Sequence, residues 1–456
     1  MTRLFGTDGI RGEAGRFPLD RATMRTLGRS LTAHILEKIS GRNPVILTGR
    51  DTRESGGWLE QALIEGATAA GALCKSAGVI TTPGVAYLAR TLPADAGVVI
   101  SASHNPYQDN GVKIFSPSGK KLEDATERLI ERDIYAASTE QTAQDEATWS
   151  LPDYEGEATK LRIRYLDFLA EEIGRGLSLS DLTMVIDCAN GAASQLAPEL
   201  FQRLGARVIA LNDQPDGCNI NRDCGSLHTE GLQKKVIFEH ADFGVAFDGD
   251  ADRALFVDAI GRSVDGDEAM WVLANYLYER GKLPHGIVVG TVMSNVGLEI
   301  ALRSRGMKLV RADVGDKYVL DELLRTGAGL GGEQSGHLIF PRLSLAGDGM
   351  ITTLSLLKAM REAHRSLEQL TAGFEHYPQV LVNVRVREKK PFSELVSVRA
   401  LAQDVEAKLG AQGRLLLRYS GTESLARVMI EGQNQSEIEE YANGLAKLIK
   451  LAIGAA

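Results

Sequence analysis

Cysteine is scarce and scattered. The four thiols, Cys74, Cys188, Cys218 and Cys224, show no Cys-x-x-Cys spacing. That excludes the usual zinc frames and, in a chain this long, a disulfide-stapled secreted scaffold. Buried, reduced thiols are expected. Long apolar runs are also missing. Nothing approaches the ~20 residues that cross a bilayer, and the opening MTRLFGTDGIRG has no apolar signal region. A cytoplasmic protein without membrane contact is expected. Positive charge is not in excess either: 51 Lys and Arg face 60 Asp and Glu, a formal charge of −9. The concentrated basic face of a nucleic-acid binder is therefore not expected. There is no GxxxxGK[ST] loop for a nucleotide and no low-complexity segment.

What is present is an ordinary globular balance, 44% hydrophobic and 24% charged, spread over 456 residues. That length exceeds one core and implies two to four domains. Residues 20–38 read as a helix that Asp20 can cap, with Met24, Leu27, Leu31 and Ile35 on one face. A strand (PVILTG), a polar loop (RDTRESG) and a helix (WLEQALIEGATAAGA) follow. The same order recurs in TMVIDCANGAASQLAPELFQRLG and in GIVVGTVMSNVGLEIALRSRG, which argues for repeated α/β layers. The last 80 or so residues differ. Alternating Val380, Val382, Val384 and Val386 predict a half-buried strand, followed by a helix near 397–409, two strands and a closing helix. A long helix near 156–175 and a turn near 371–378 are candidate hinges.

Four polar clusters carry chemistry. In VVISASHNPYQDNGVKIF, residues 98–115, a buried strand turns abruptly polar. Either Ser101 or Ser103 at its end is a candidate nucleophile. A neutral hydroxyl needs a base or a metal beside it, and His104 and Lys113 are near in sequence. In FDGDADR, Asp248, Asp250 and Asp252 alternate after an apolar run and can wrap one oxygen-loving cation. An EF-hand is excluded, because its sixth and twelfth positions fall on Arg253 and Ala259. A cation such as Arg253 beside a metal site often serves a phosphate. GGEQSGH offers Glu333, Ser335 and His337 in a glycine-flanked loop suited to sugar hydroxyls. It lacks both a helix after its GxGxxG-like glycines and the GxSxG spacing of a hydrolase. RYSGTES, with Arg427 beyond it, has the hydroxyls, glycine and guanidinium of a phosphate cradle.

Taken in order, these stretches resemble the α-D-phosphohexomutase superfamily over essentially the whole chain. SASHNP is similar to its phosphoserine loop, DGDADR to its magnesium loop, GEQSGH to its sugar loop and RYSGTES to its phosphate loop. FGTDGIRG, VDGDE, VGDKYV, NIN and the Gly-His ending of GEQSGH resemble the branch that acts on glucosamine phosphates. The resemblance implies an α/β fold: three similar α/β domains with helix-covered mixed sheets and a smaller C-terminal α+β domain, around a central cleft. The expected boundaries are 1–154, 155–258, 259–373 and 374–456.

It further implies that Ser103 carries the phosphoryl group and that one Mg2+ per subunit is held by Asp248, Asp250, Asp252 and phosphorylated Ser103. Arg11, His104, Lys113 and Arg253 would surround the reacting group, with Lys113 and His337 as candidates for proton transfer. Glu333, Ser335 and His337 would hold the sugar, and Arg418, Ser420, Gly421, Thr422 and Arg427 the other phosphate. The implied reaction interconverts glucosamine 6-phosphate and glucosamine 1-phosphate through a 1,6-bisphosphate. Glucosamine or glucose 1,6-bisphosphate would serve as activator and a homodimer as the assembly, feeding UDP-N-acetylglucosamine and peptidoglycan precursors.

Two departures stand out. Many members have Lys and Pro where this chain has Tyr419 and Ser424, and Gly where it has Ala251. The lost charge at 419 leaves a preference for glucose or mannose phosphates as the alternative. A magnesium phosphatase and a phosphosugar sensor without turnover are the more distant readings.

Overall fold

Residues 3–139, 155–420 and 423–455 are described by the computed structural model. The first predicted helix spans Arg21–Leu36 and is capped by Asp20, whose side chain accepts from Thr23 N. Met24, Leu27 and Leu31 are buried, and Ile35 packs at the edge of the same core. This helix lies against Gly56–Ala69 at a distance only glycine allows. A Cβ on Gly66 would stand 1.9 Å from Arg25 O, and one on Gly28 would stand 2.1 Å from Leu63 O.

By packing, the chain divides into two compact units, Met1–Met293 with Val310–Ala372, and Ser294–Leu309 with Gly373–Ala456. The first unit holds three sheets. One has six strands in the order Phe5–Gly6, Gly9–Glu13, Asp109–Phe115, Ala96–Ile100, Val45–Arg50, Leu73–Val79. Its last three strands are parallel and the rest antiparallel, so the sheet is mixed. The second runs Ser263–Val264, Ala254–Asp258, Phe243–Phe247, Thr183–Asp187, Arg207–Leu211. Phe243–Phe247 and Ala254–Asp258 form an antiparallel hairpin. In the third, Ile287–Thr291 pairs in parallel with Leu330–Gly332, which turns back antiparallel into Leu338–Ile339. The two hairpins and the polar turn after Ala96–Ile100 carry three of the four clusters. The helix predicted near 156–175 is Glu155–Asp167, continued by a wider π-helical turn at Phe168–Ile173.

In the second unit three antiparallel strands run Gln379–Arg385, Leu425–Glu431, Arg414–Tyr419, with helices Val396–Leu409 and Gln435–Ile453. Val384 and Val386 are buried, while Val380 and Val382 pack at the core's margin. All four cysteines are free. Only Cys188 and Cys224 are fully buried, which corrects the expectation for the other two. Cys74 lies on the outer strand of its sheet and Cys218 in a loop. Among the described residues, no helix is long and apolar enough to cross a membrane.

Candidate active site

Ser103 lies just past the carboxyl end of Ala96–Ile100, in a left-handed conformation with φ of +53°. Such a backbone is strained for serine and persists only where the surroundings hold it. Ser101 Oγ accepts from Ser103 N at 2.9 Å and donates to Asp51 Oδ2 at 2.6 Å. Arg53, almost wholly buried, donates through Nη2 to Ser103 O at 3.0 Å and Asn105 O at 2.8 Å, and pairs with Asp51 at 2.9 Å. Asn221 Nδ2 reaches the same two carbonyls at 2.9 and 3.1 Å. Ser101 therefore anchors the loop, and Ser103 is the serine left facing outward from it.

What Ser103 faces is the aspartate cluster. Its Oγ donates to Asp248 Oδ2 at 2.5 Å, and His104 Nδ1 stands 3.2 Å away. Asp248, Asp250 and Asp252 occupy the loop between Phe243–Phe247 and Ala254–Asp258, all buried, with candidate ligand oxygens within 4.8 Å of one another. Gly249 lets the two loops touch: a Cβ there would stand 2.5 Å from Ser103 O. Burial, and then repulsion from Asp252 and Asp250, push the Asp248 carboxyl well above the usual carboxylate range.

Lys113 offsets part of this charge. Its buried Nζ lies 2.8 Å from Asp250 Oδ2 and 3.1 Å from both Asp252 Oδ2 and Asp8 Oδ2. The other oxygens of the pair, Asp250 Oδ1 and Asp252 Oδ1, are buried without a hydrogen-bond donor. Three carboxylates, only oxygen donors and two carboxylate oxygens that accept no hydrogen bond fit a hard divalent cation. The residues present thus suit a magnesium site.

A cavity of about 440 Å³ opens beside the triad, lined by Arg11, His104, Arg253, Asp316, Glu333 and His337 among others. The fold thus gathers the predicted residues of the first and third sheets at one place. Arg11 Nη1 donates to Asn105 Oδ1 at 3.2 Å, and its other nitrogen is paired with Asp8. Arg253 Nε is buried without a hydrogen-bond partner and lies 3.9 Å from Asp252 Oδ1. In the turn from Leu330–Gly332 to Leu338–Ile339, Glu333 Oε1 accepts from Gly315 N at 3.0 Å. Ser335 Oγ and His337 Nε2 are buried without a hydrogen-bond partner, Asp316 Oδ2 lying 4.0 Å from the latter, and both are polar atoms suited to receive hydroxyls.

Protonation differs sharply among the candidates. Burial, followed by the Arg253 and Arg11 charges, lowers His104 to about 4, so its ring is neutral near pH 7. Burial pulls His337 down too, but Asp252 outweighs it and raises the ring to about 9. Lys113 is likewise desolvated, yet Asp250, Asp252 and Asp8 hold it well above its usual value. Both residues nominated for proton transfer are therefore cations here, and the neutral ring beside Ser103 is His104.

Several participants escaped the sequence reading. Arg53 and Asp51 sat in a stretch read only as a polar loop. Asp8 lay inside FGTDGIRG, where burial raises its carboxyl but Lys113 and Lys121 outweigh that and hold it well below the usual range. Lys121 joins Asp8 to Asp316. Thr82 Oγ1 donates to Asp250 Oδ2 at 2.5 Å. The available signal was a run of charges in loops that follow strands.

In the second unit, Arg418 and Arg427 are cross-strand partners and Ser420 follows directly. Ser420 Oγ accepts from Glu423 N at 3.2 Å. Gly421 and Thr422 lie outside the described residues. Tyr419 donates to Lys390 O at 2.5 Å and stacks on Phe392, with ring centroids 4.5 Å apart and planes 10° apart.

Family models match the chain in four consecutive segments. Phosphoglucomutase/phosphomannomutase alpha/beta/alpha domain I matches residues 2–141, domain II residues 164–261, domain III residues 265–377 and the C-terminal domain residues 381–448. A phosphoglucosamine mutase of Solibacter usitatus (strain Ellin6076) is 48% identical over 454 residues, covering 99% of each chain. The crystal structure of a phosphoglucomutase/phosphomannomutase family protein from Burkholderia thailandensis superimposes with a TM-score of 0.79 at 24% identity, over 99% of this chain and 97% of that one. A structure of Aspergillus fumigatus N-acetylphosphoglucosamine mutase in complex with GlcNAc-6P and magnesium is similar at TM-score 0.61 and 20% identity, over 91% and 85% of the two chains. The last two speak to the fold alone.

Proposed function

This chain belongs to the phosphoglucosamine mutases, within the phosphoglucomutase/phosphomannomutase family, and from that premise we propose that Ser103 is its phosphoryl carrier. One observation carries the assignment: Ser103 Oγ lies 2.5 Å from Asp248 Oδ2, at the edge of a buried aspartate trio and beside a neutral imidazole. In the forward direction phosphorylated Ser103 donates to O1 of glucosamine 6-phosphate. The 1,6-bisphosphate reorients, its 6-phosphate returns to Ser103, and glucosamine 1-phosphate leaves.

Asp248, Asp250 and Asp252, with the phosphate on Ser103, would hold one Mg2+ per chain. When bound, that ion supplies the charge neutralisation phosphoryl transfer needs. Arg11 and Arg253, which line the cavity, would orient the phosphoryl oxygens. Lys113 keeps the aspartates from repelling one another and holds their side chains still. His104 is the group able to take or return a proton at Ser103 Oγ, being uncharged and 3.2 Å away. Glu333, Ser335 and His337 would receive the sugar hydroxyls, with His337 as a cation able to donate. Arg418, Ser420 and Arg427, with Gly421 and Thr422, would bind the phosphate that is not reacting.

The four segments bounded at 154, 258 and 373 are proposed as the working domains. A cytoplasmic homodimer primed by glucosamine or glucose 1,6-bisphosphate, and serving UDP-N-acetylglucosamine synthesis, is the setting the reading assumes. The test is direct. Protein isolated from its host should carry one phosphate by intact mass, and Ser103→Ala should lose both that phosphate and at least roughly a thousandfold in turnover. Glucosamine, glucose and mannose phosphates assayed side by side should rank glucosamine first. Turnover surviving in Ser103→Ala would end the proposal.

A further inference from the structure

Within the second unit, the segment after Gln379–Arg385 brings a cation to the RYSGTES loop that no motif suggested. Lys389 Nζ donates to Ser420 O at 2.6 Å. Among the described residues it has no carboxylate partner, whereas its neighbour Lys390 is paired with Glu388 at 3.2 Å. An ammonium resting on a neutral carbonyl beside two arginines keeps its charge available for an anion. Arg427 points the same way. Its Nε is buried without a hydrogen-bond partner, and its one ion pair among the described residues, from Nη2 to Glu423 at 3.5 Å, is with an exposed carboxylate. Tyr419 explains how Lys389 comes to be there. Its hydroxyl holds Lys390 O and its ring lies flat on Phe392, so the strand is tied to the segment at the second of its lysines and just beyond it. The side chain that lacks a charge recruits a backbone that supplies one.

We propose that Lys389 contacts the phosphate of the bound phosphosugar in this cradle, with Tyr419 as its positioning residue. The proposal rests on the reading that Arg418, Ser420 and Arg427 bind the phosphate that is not reacting. An ammonium placed on one phosphate oxygen strengthens binding in the ground and transition states alike, so its removal changes KM and leaves kcat.

The experiment compares Lys389→Met, Lys389→Arg, Tyr419→Phe and Arg418→Met in the full-length enzyme. The readouts are steady-state kinetics on glucosamine 1-phosphate, competitive inhibition by inorganic phosphate, and phosphate occupancy of Ser103 by mass. Lys389→Met should raise KM and the inhibition constant together by roughly tenfold, with kcat and occupancy unchanged. Lys389→Arg should restore most of the affinity. Tyr419→Phe, which loses the tether but keeps the stack, should fall between. Lys389 is exposed, so the melting transition should not move. If Arg418→Met raises KM while Lys389→Met leaves it within about twofold, Lys389 plays no part in binding and the reading of the cradle survives. If neither substitution moves KM, both fall together. A loss in kcat alone at Lys389→Met would also overturn the assignment.

Discussion

Ser103 Oγ and Asp248 Oδ2 are 2.5 Å apart across a sequence separation of 145 residues. The contact joins the turn after Ala96–Ile100 to the hairpin loop after Phe243–Phe247. It places a hydroxyl against a carboxyl that burial and like charge hold well above the usual carboxylate range.

The first prediction concerns the metal. Chelation should abolish turnover, and Mg2+ should restore it. Asp250→Asn and Asp252→Asn should each raise the Mg2+ concentration for half-activity at least about tenfold, since lesser changes around metal ligands already cost that much. Metal titration of activity and calorimetric binding check this; an unchanged requirement in both variants would remove the triad from the site.

Arg53 is a second target. Its guanidinium holds Asp51 and the carbonyls of Ser103 and Asn105 in a buried place. Arg53→Met leaves the Asp51 charge and those carbonyls without it, which should destabilise the protein by about 3 kcal/mol. Chemical denaturation measures the loss, and turnover should fall because the Ser103 loop is no longer held.

The hairpin loop offers a pair of opposite outcomes. Ala251 adopts φ of +56°, a conformation glycine takes freely, so Ala251→Gly should stabilise by about 1 kcal/mol with activity little changed. Gly249→Ala should do the reverse. The new Cβ would stand 2.5 Å from Ser103 O and 2.9 Å from Asn221 Nδ2. Relieving that clash pushes the serine loop back by about 1 Å, which should cost roughly a hundredfold in kcat. Melting temperature and kinetics on the two variants decide it.

Asp348 gives a pH signature. It caps the helix Gly349–Ala363 through Met350 N and Ile351 N and accepts from Tyr165 at 2.7 Å, while burial raises it to about 6. A carboxyl whose folded pKa exceeds its unfolded value of 3.8 binds more protons when folded. Its contribution is therefore present below pH 3.8 and lost as pH rises through about 6, amounting to at most about 3 kcal/mol. Asp348→Asn keeps the cap and removes the titration. The stability of the variant relative to the parent should therefore rise between pH 4.5 and pH 7, by about the same amount at most; a flat difference would show that Asp348 does not titrate in that range.

The regular elements were legible because periodicity is local. Met24, Leu27 and Leu31 report a buried helix face from their spacing alone, and Asp20 announces its own cap. The RDTRESG stretch shows the limit. Nothing in it distinguishes a solvated arginine from Arg53, which is buried because carbonyls some 50 residues away converge on it. Ser101 and Ser103 looked equivalent for the same reason. Only the pairing of Ser101 with Asp51, and the strained backbone at Ser103, separate the anchoring serine from the proposed carrier.

By itself the amino-acid order determined the donor types and their spacing: three aspartates two apart, a serine at a strand's end, hydroxyls and guanidiniums around glycine. Spacing is a covalent property and survives in any fold. The tertiary structure decided which of those groups meet and what charge each bears. Meeting depends on loops far apart in the chain, and charge depends on burial and on neighbours a few ångströms away, as the neutral His104 and the cationic His337 illustrate.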